Sequence, residues 1–89
     1  MENKELLENF REQIDTLDAE LLYLLSRRFT IVNEIWNFKK INWMQPLQND
    51  RWNKVLSEKI EIGEELWLKK EFIENIWNRI HQESLEIER

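Results

Sequence analysis

From Leu7 to Lys39 large apolar residues recur on a seven-residue repeat. One seam position is filled by Leu7, Ile14, Leu21, Arg28 and Ile35, the other by Phe10, Leu17, Leu24, Ile31 and Phe38. Nine of these ten residues are apolar, and the stretch contains neither Gly nor Pro. The pattern predicts a long helix with a sustained apolar seam and one cation set into it. Its ends are expected near Asn3 or Lys4 and near Ile41. Glu2, Glu5 and Glu8 suit the positive end of the helix dipole, and Lys39 and Lys40 the negative end. Such a helix is roughly 55 Å long at about 1.5 Å per residue. That is too long for a compact monomer of 89 residues, so much of the seam is expected to need a partner chain.

Asn42 to Gln48 breaks the pattern, because Pro46 cannot continue a helix and restrains Gln45. Asn49 or Asp50 can cap a second helix, expected from about Asp50 to Ile62, with Trp52, Val55, Leu56 and Ile60 or Lys59 on its inner face. Gly63, the only glycine, is well placed as its C-terminal cap. A third helix is expected from Trp67 or Lys69 to Ile87. Its stripe is Ile73, Trp77, Ile80, Ser84 and Glu88, with Phe72, Ile76 and Ile87 alongside, and it turns polar in its last two members. The expected fold is all-α, with one long and two shorter helices in a single domain over residues 1–89 and no internal repeat.

Composition narrows the function. With no Cys and a single His, the chain lacks a thiolate site and a usual zinc set, so no metal is expected. The net charge of −5 argues against nucleic acid. No apolar run approaches the roughly 20 residues of a membrane span, and MENKELLENF is too polar for a signal peptide. A cytoplasmic protein without a membrane partner is the expectation. The bias toward Glu, Asn, Lys, Ile and Trp, with Ala19 alone, fits an AT-rich genome or a designed sequence.

Cations set into the apolar stripes of an acidic protein suggest a small anionic ligand. Arg28 is the strongest such signal. Lys39 lies close to three helical turns further on, roughly 16 Å away, so the two can hold a dianion between them. Arg11 is roughly 25 Å from Arg28 along a straight helix and can approach it only from a second, antiparallel chain. Each has an ordinary alternative: Arg28 paired with a carboxylate or reaching solvent, Lys39 as a helix-terminal lysine, Arg11 paired with Asp15 or Asp18. Arg51 opposes the dipole in the first turn of the second helix. The five tryptophans fit core and interface better than a ligand cage, and His81 fits a structural role.

The run FREQIDTLDAELLYLLSRR, Lys39 in NFKK, Pro46, NDRWNKVL and the ending IHQESLEIE together resemble the all-helical AroQ-type chorismate mutases, from about Leu6 to Glu88. No single short motif is specific, but the set at this spacing is. The resemblance implies an intertwined homodimer in which each of two sites borrows an arginine from the other chain. It implies that Arg11 of the partner and Arg28 bind the two carboxylates of chorismate. Lys39 would donate to the ether oxygen, Arg51 and Ser84 would line the pocket, and residue 88 would contact the ether oxygen from the other side. Rearrangement to prephenate needs no nucleophile, metal or cofactor. It needs a flexible dianion held in a compact chair and charge stabilisation at the breaking C–O bond.

Three positions depart from the family pattern. Glu88 stands where bacterial members commonly have Gln. A protonated carboxyl would donate to the ether oxygen as in fungal relatives, which predicts faster turnover at mildly acid pH. Trp52 replaces an acidic residue that helps bind the substrate hydroxyl, and its indole N–H can replace part of that contact. Gln48 replaces an Asp and retains hydrogen-bonding capacity. The alternatives are a same-fold isochorismate pyruvate-lyase and a catalytically inactive helical dimer.

Overall fold

A computed structural model describes residues 2–45 and 49–88. Its described secondary structure is entirely helical: α1 (Asn3–Ile41), α2 (Asn49–Glu65) and α3 (Lys70–Ile87). Pro46 and Gln48 lie outside the described residues. The chain groups into two units, Met1–Ile31 and Val32–Arg89. No helix is long and apolar enough to cross a membrane.

The first unit is the N-terminal part of α1. Its apolar seam residues are about half exposed, from Leu7 at 47% to Leu21 at 59%. No residue anywhere in α1 is buried within the chain. Isolated helices draw little stability from propensity alone, so a seam of this size is a surface built to be covered. Thr16 and Thr30 turn their hydroxyls back to donate to the carbonyls of Glu12 and Ser26, each at 3.0 Å. That bonding satisfies them locally.

In the second unit α2 and α3 form an antiparallel hairpin. Trp52, early in α2, lies against His81, late in α3. Gly63, late in α2, lies against Ile73, early in α3. Val55, Ile73 and Ile80 are the buried apolar residues between them. Trp52, Leu56, Lys59 and Ile60 of the expected α2 face are half-buried, as are Ile76, Trp77, Ser84, Ile87 and Glu88 around the α3 stripe. Phe72 is exposed.

The expected helix ends need two corrections. Gly63 is not a cap: α2 runs through it to Glu65, and its φ is not positive. The left-handed residue that ends α2 is Trp67, at φ 66°. The Leu68 N–H then donates to the Gly63 carbonyl at 2.9 Å and the Trp67 N–H to the Glu64 carbonyl at 3.1 Å. The end of α1 repeats this Schellman arrangement, with Trp43 at φ 57° and the Met44 N–H on the Lys39 carbonyl at 2.8 Å. Both tryptophans carry a left-handed cost of about 1–2 kcal/mol. Both are nearly fully exposed, at 94% and 95%, so neither lies in the chain's own core. The last helix therefore begins at Lys70, after an extended Lys69, and not at Trp67.

Gly63 is required by proximity. A Cβ there would collide with Ile73 Cδ1 and lie 2.9 Å from Ile73 Cγ1, and Ile73 is the most buried core side chain at 3% exposure. Gly63→Ala gains about 1 kcal/mol of helix propensity but forces a repacking that costs about 1–3 kcal/mol. We expect a net loss near 1 kcal/mol, seen as a fall in Tm of about 4–8 °C. Adding Ile73→Val, which removes the nearest methyl, should recover most of it. A Gly63→Ala protein that melts higher than the parent would refute the close approach.

Candidate active site

The end of α1 and the end of α3 bring two charged side chains together. Lys39 Nζ lies 3.9 Å from Glu88 Oε1, and the two side chains are only 14% and 11% exposed. The Lys54–Glu58 and Arg79–Glu83 ion pairs follow the helix surface at i, i+4 spacing and are far more exposed. Such surface pairs contribute little. A pair removed from water is different: desolvation is costly, and the field around it is strong. Ordinary helix patterning does not produce it, because its members are 49 residues apart in sequence (88 − 39).

The last turns of α3 hold Glu88 in place through its N–H, which donates to the Ser84 carbonyl at 3.2 Å. Ser84 is part-buried, and its hydroxyl donates to the Ile80 carbonyl at 3.0 Å. To bind a carboxylate, that hydroxyl must rotate away from its own helix. His81, Ser84 and Glu88 follow i, i+3, i+7 spacing and so share one face of α3. His81 stacks on Trp52 with centroids 3.9 Å apart and planes 10° from parallel, and both rings are half-buried. Arg51, beside Trp52 in the first turn of α2, is exposed.

The second unit thus groups Lys39 with Glu88, places Ser84 one turn away, and sets Trp52 against His81. The other two cations belong to the first unit. Arg28 is half-buried on α1. Arg11 is exposed and pairs with Glu8 at 2.7 Å, in place of the anticipated Asp15 or Asp18. Unbroken helix keeps Arg11 and Arg28 about 25 Å apart within one chain. Gln48 lies outside the described residues.

A family model described as chorismate mutase type II matches residues 10–89. The chain belongs to that family. The match covers nearly all of α1 and the whole of α2 and α3, and it contains every candidate residue named above. No match was found among curated proteins or among solved structures. Membership in the chorismate mutase type II family accounts for the all-helical architecture.

Proposed function

We propose that this protein is a chorismate mutase that rearranges chorismate to prephenate as an intertwined homodimer of single-domain chains. The observation that carries the reading is the shielded Lys39–Glu88 pair on a chain of this family. The uncovered seam of α1 supports the dimer.

The reaction sets simple demands. A flexible dianion must be held in a chair, and negative charge must be met as it grows on the ether oxygen. Arginine forks match carboxylates in shape and charge. Arg28, and Arg11 from the partner chain, take the two carboxylates. Lys39 donates to the ether oxygen, where partial exclusion of water strengthens the contact. Glu88 approaches the same oxygen from the other side. Arg51, Ser84, Trp52 and Gln48 line the pocket. No cofactor takes part, because the bond changes are concerted within one molecule.

Position 88 tests the contact to the ether oxygen. An ionised carboxylate beside Lys39 opposes the incoming dianion, whereas an amide of the same shape donates to the ether oxygen. Glu88→Gln should therefore raise kcat/KM at neutral pH by about tenfold or more. The assay is chorismate consumption with prephenate identified as product. Unchanged or lower activity of Glu88→Gln would remove position 88 from the role. Pyruvate release from isochorismate without prephenate formation would replace the mutase reading by the lyase.

A further inference from the structure

We infer that the turn joining α2 to α3 is a second self-association surface, through which two copies of this chain dock tip to tip about a two-fold axis. It stands apart from Lys39, Glu88 and the α1 seam, and it holds whatever reaction the site performs.

The first argument is in the sequence of the turn. Residues 64–70 read EELWLKK, a palindrome in shape that inverts its charge about Trp67. The whole run is exposed, with Trp67 at 95%, Leu66 at 64% and Leu68 at 45%. Two copies turned end to end place Trp67 on Trp67 and Leu66 of one on Leu68 of the other. Glu64 and Glu65 then face Lys70 and Lys69. An isologous contact requires this self-complementarity, because residue i meets j while j meets i. Trp43 shares the left-handed backbone and the exposure but not the charge inversion, since residues 39–45 carry no acid.

The helix dipoles supply the second argument. Glu64 and Glu65 close α2, at the pole where free carbonyls already gather negative charge, and the last turn of α2 holds no basic residue. Lys69 is the N-cap of α3 and Lys70 its first residue, at the pole where free N–H groups gather positive charge. Glu71 suits that pole, but the four charges of the run oppose their own helices. Lys70 pairs with Glu74 at 3.8 Å on the exposed surface, and a pair of that kind exchanges at little cost. A two-fold axis normal to the hairpin plane sets the α2 end of each copy over the α3 start of the other. Side chains and helix poles then both meet their opposites. A two-fold axis lying in that plane sets acids on acids and lysines on lysines, so charge selects the first orientation.

The third argument is Trp67 itself. Its backbone, at φ 66°, is one that Gly or Asn adopts readily and a bulky residue does not. The turn holds its largest side chain in that strained position and presents it to solvent. The contact it offers is small. Two indoles contribute about 150–250 Å² each and the leucines less, so the total stays below the roughly 1,200 Å² of a stable interface. Association is therefore weak and shows as a concentration-dependent doubling of mass.

Sedimentation equilibrium from about 1 μM to about 1 mM spans the range of such affinities. The parent should pass from its smaller species to one of twice the mass. Trp67→Asn keeps a residue suited to the left-handed turn and should weaken the step at least about tenfold. Glu64→Lys with Glu65→Lys, and separately Lys69→Glu with Lys70→Glu, should each abolish it. A mixture of those two proteins should restore it between unlike copies. Both pairs of substitutions move charge to the favourable helix pole, so both proteins should stay folded. A parent mass that is constant across the range would overturn the inference and leave the tip to a different protein. Trp67→Asn chains that associate like the parent, or charge variants that stay apart when mixed, would overturn it as well. Loss of the smaller species itself in these variants would place the tip inside that assembly and refute a separate surface.

Discussion

Leu24→Asp is expected to abolish the proposed dimer and leave a monomer that has lost most of its thermal stability. Within one chain Leu24 is 55% exposed, and substitutions at such surface positions ordinarily stay within about 0.5 kcal/mol. The dimer reading changes that expectation entirely. Leu24 then sits mid-seam, with Leu17, Leu21 and Ile31 around it, and its side chain is covered by the partner. Removing it forfeits about 1.5–3 kcal/mol of burial per chain. An unpaired carboxylate in its place adds several kcal/mol more. A two-fold interface carries the change twice. The total rivals the whole stability of a small domain, about 5–15 kcal/mol. Light scattering after size exclusion, with a thermal melt followed by circular dichroism, measures both effects. A Leu24→Asp protein of unchanged mass and Tm would show that the seam is not an interface.

The second large effect is at Lys39. Lys39→Ala removes the donor aimed at the developing oxyanion, a change that typically costs about 10²–10³-fold in rate. It also leaves Glu88 in a shielded site without its cation, so the incoming dianion meets a carboxylate alone. We expect kcat/KM to fall by at least about 10³-fold with the dimer intact. The site's division between chains can be read from the same variant. Arg11→Ala should also be inactive. In a mixture, a heterodimer of the two contains one site with both residues present. Half the dimers form that way, so about a quarter of parental activity should return. No recovery despite demonstrated heterodimers would place Arg11 in its own chain's site, or in none. Near-parental activity of Lys39→Ala alone would remove the shielded pair from catalysis.

Much of the fold was legible along the chain. The seven-residue apolar repeat and the lysines at its end marked α1 as running from near Asn3 or Lys4 to about Ile41, and the helix spans Asn3–Ile41. The α3 stripe correctly placed Ile73 and Ile80 in the core. Both rest on helical period, which depends only on neighbours three and four residues away. Candidate cations were legible for a related reason: a charge at a seam position is anomalous wherever the helix goes.

Tertiary structure decided what depends on two helices at once. Gly63 read as a cap because glycine favours left-handed backbone, yet α3 passes so close that a side chain there has no room. With Gly63 committed to that contact, α2 continued two residues to Glu65, and the left-handed turn that closes it fell on Trp67, a residue that no local preference selects for a positive φ. Arg11 had several carboxylates within reach and took Glu8. The meeting of Lys39 with Glu88, and of Trp52 with His81, depends on the register and approach of separate helices. A periodic pattern tells which face of a helix is turned inward. It does not tell which residue of another helix lies opposite, because that is settled by packing among side chains far apart in the chain.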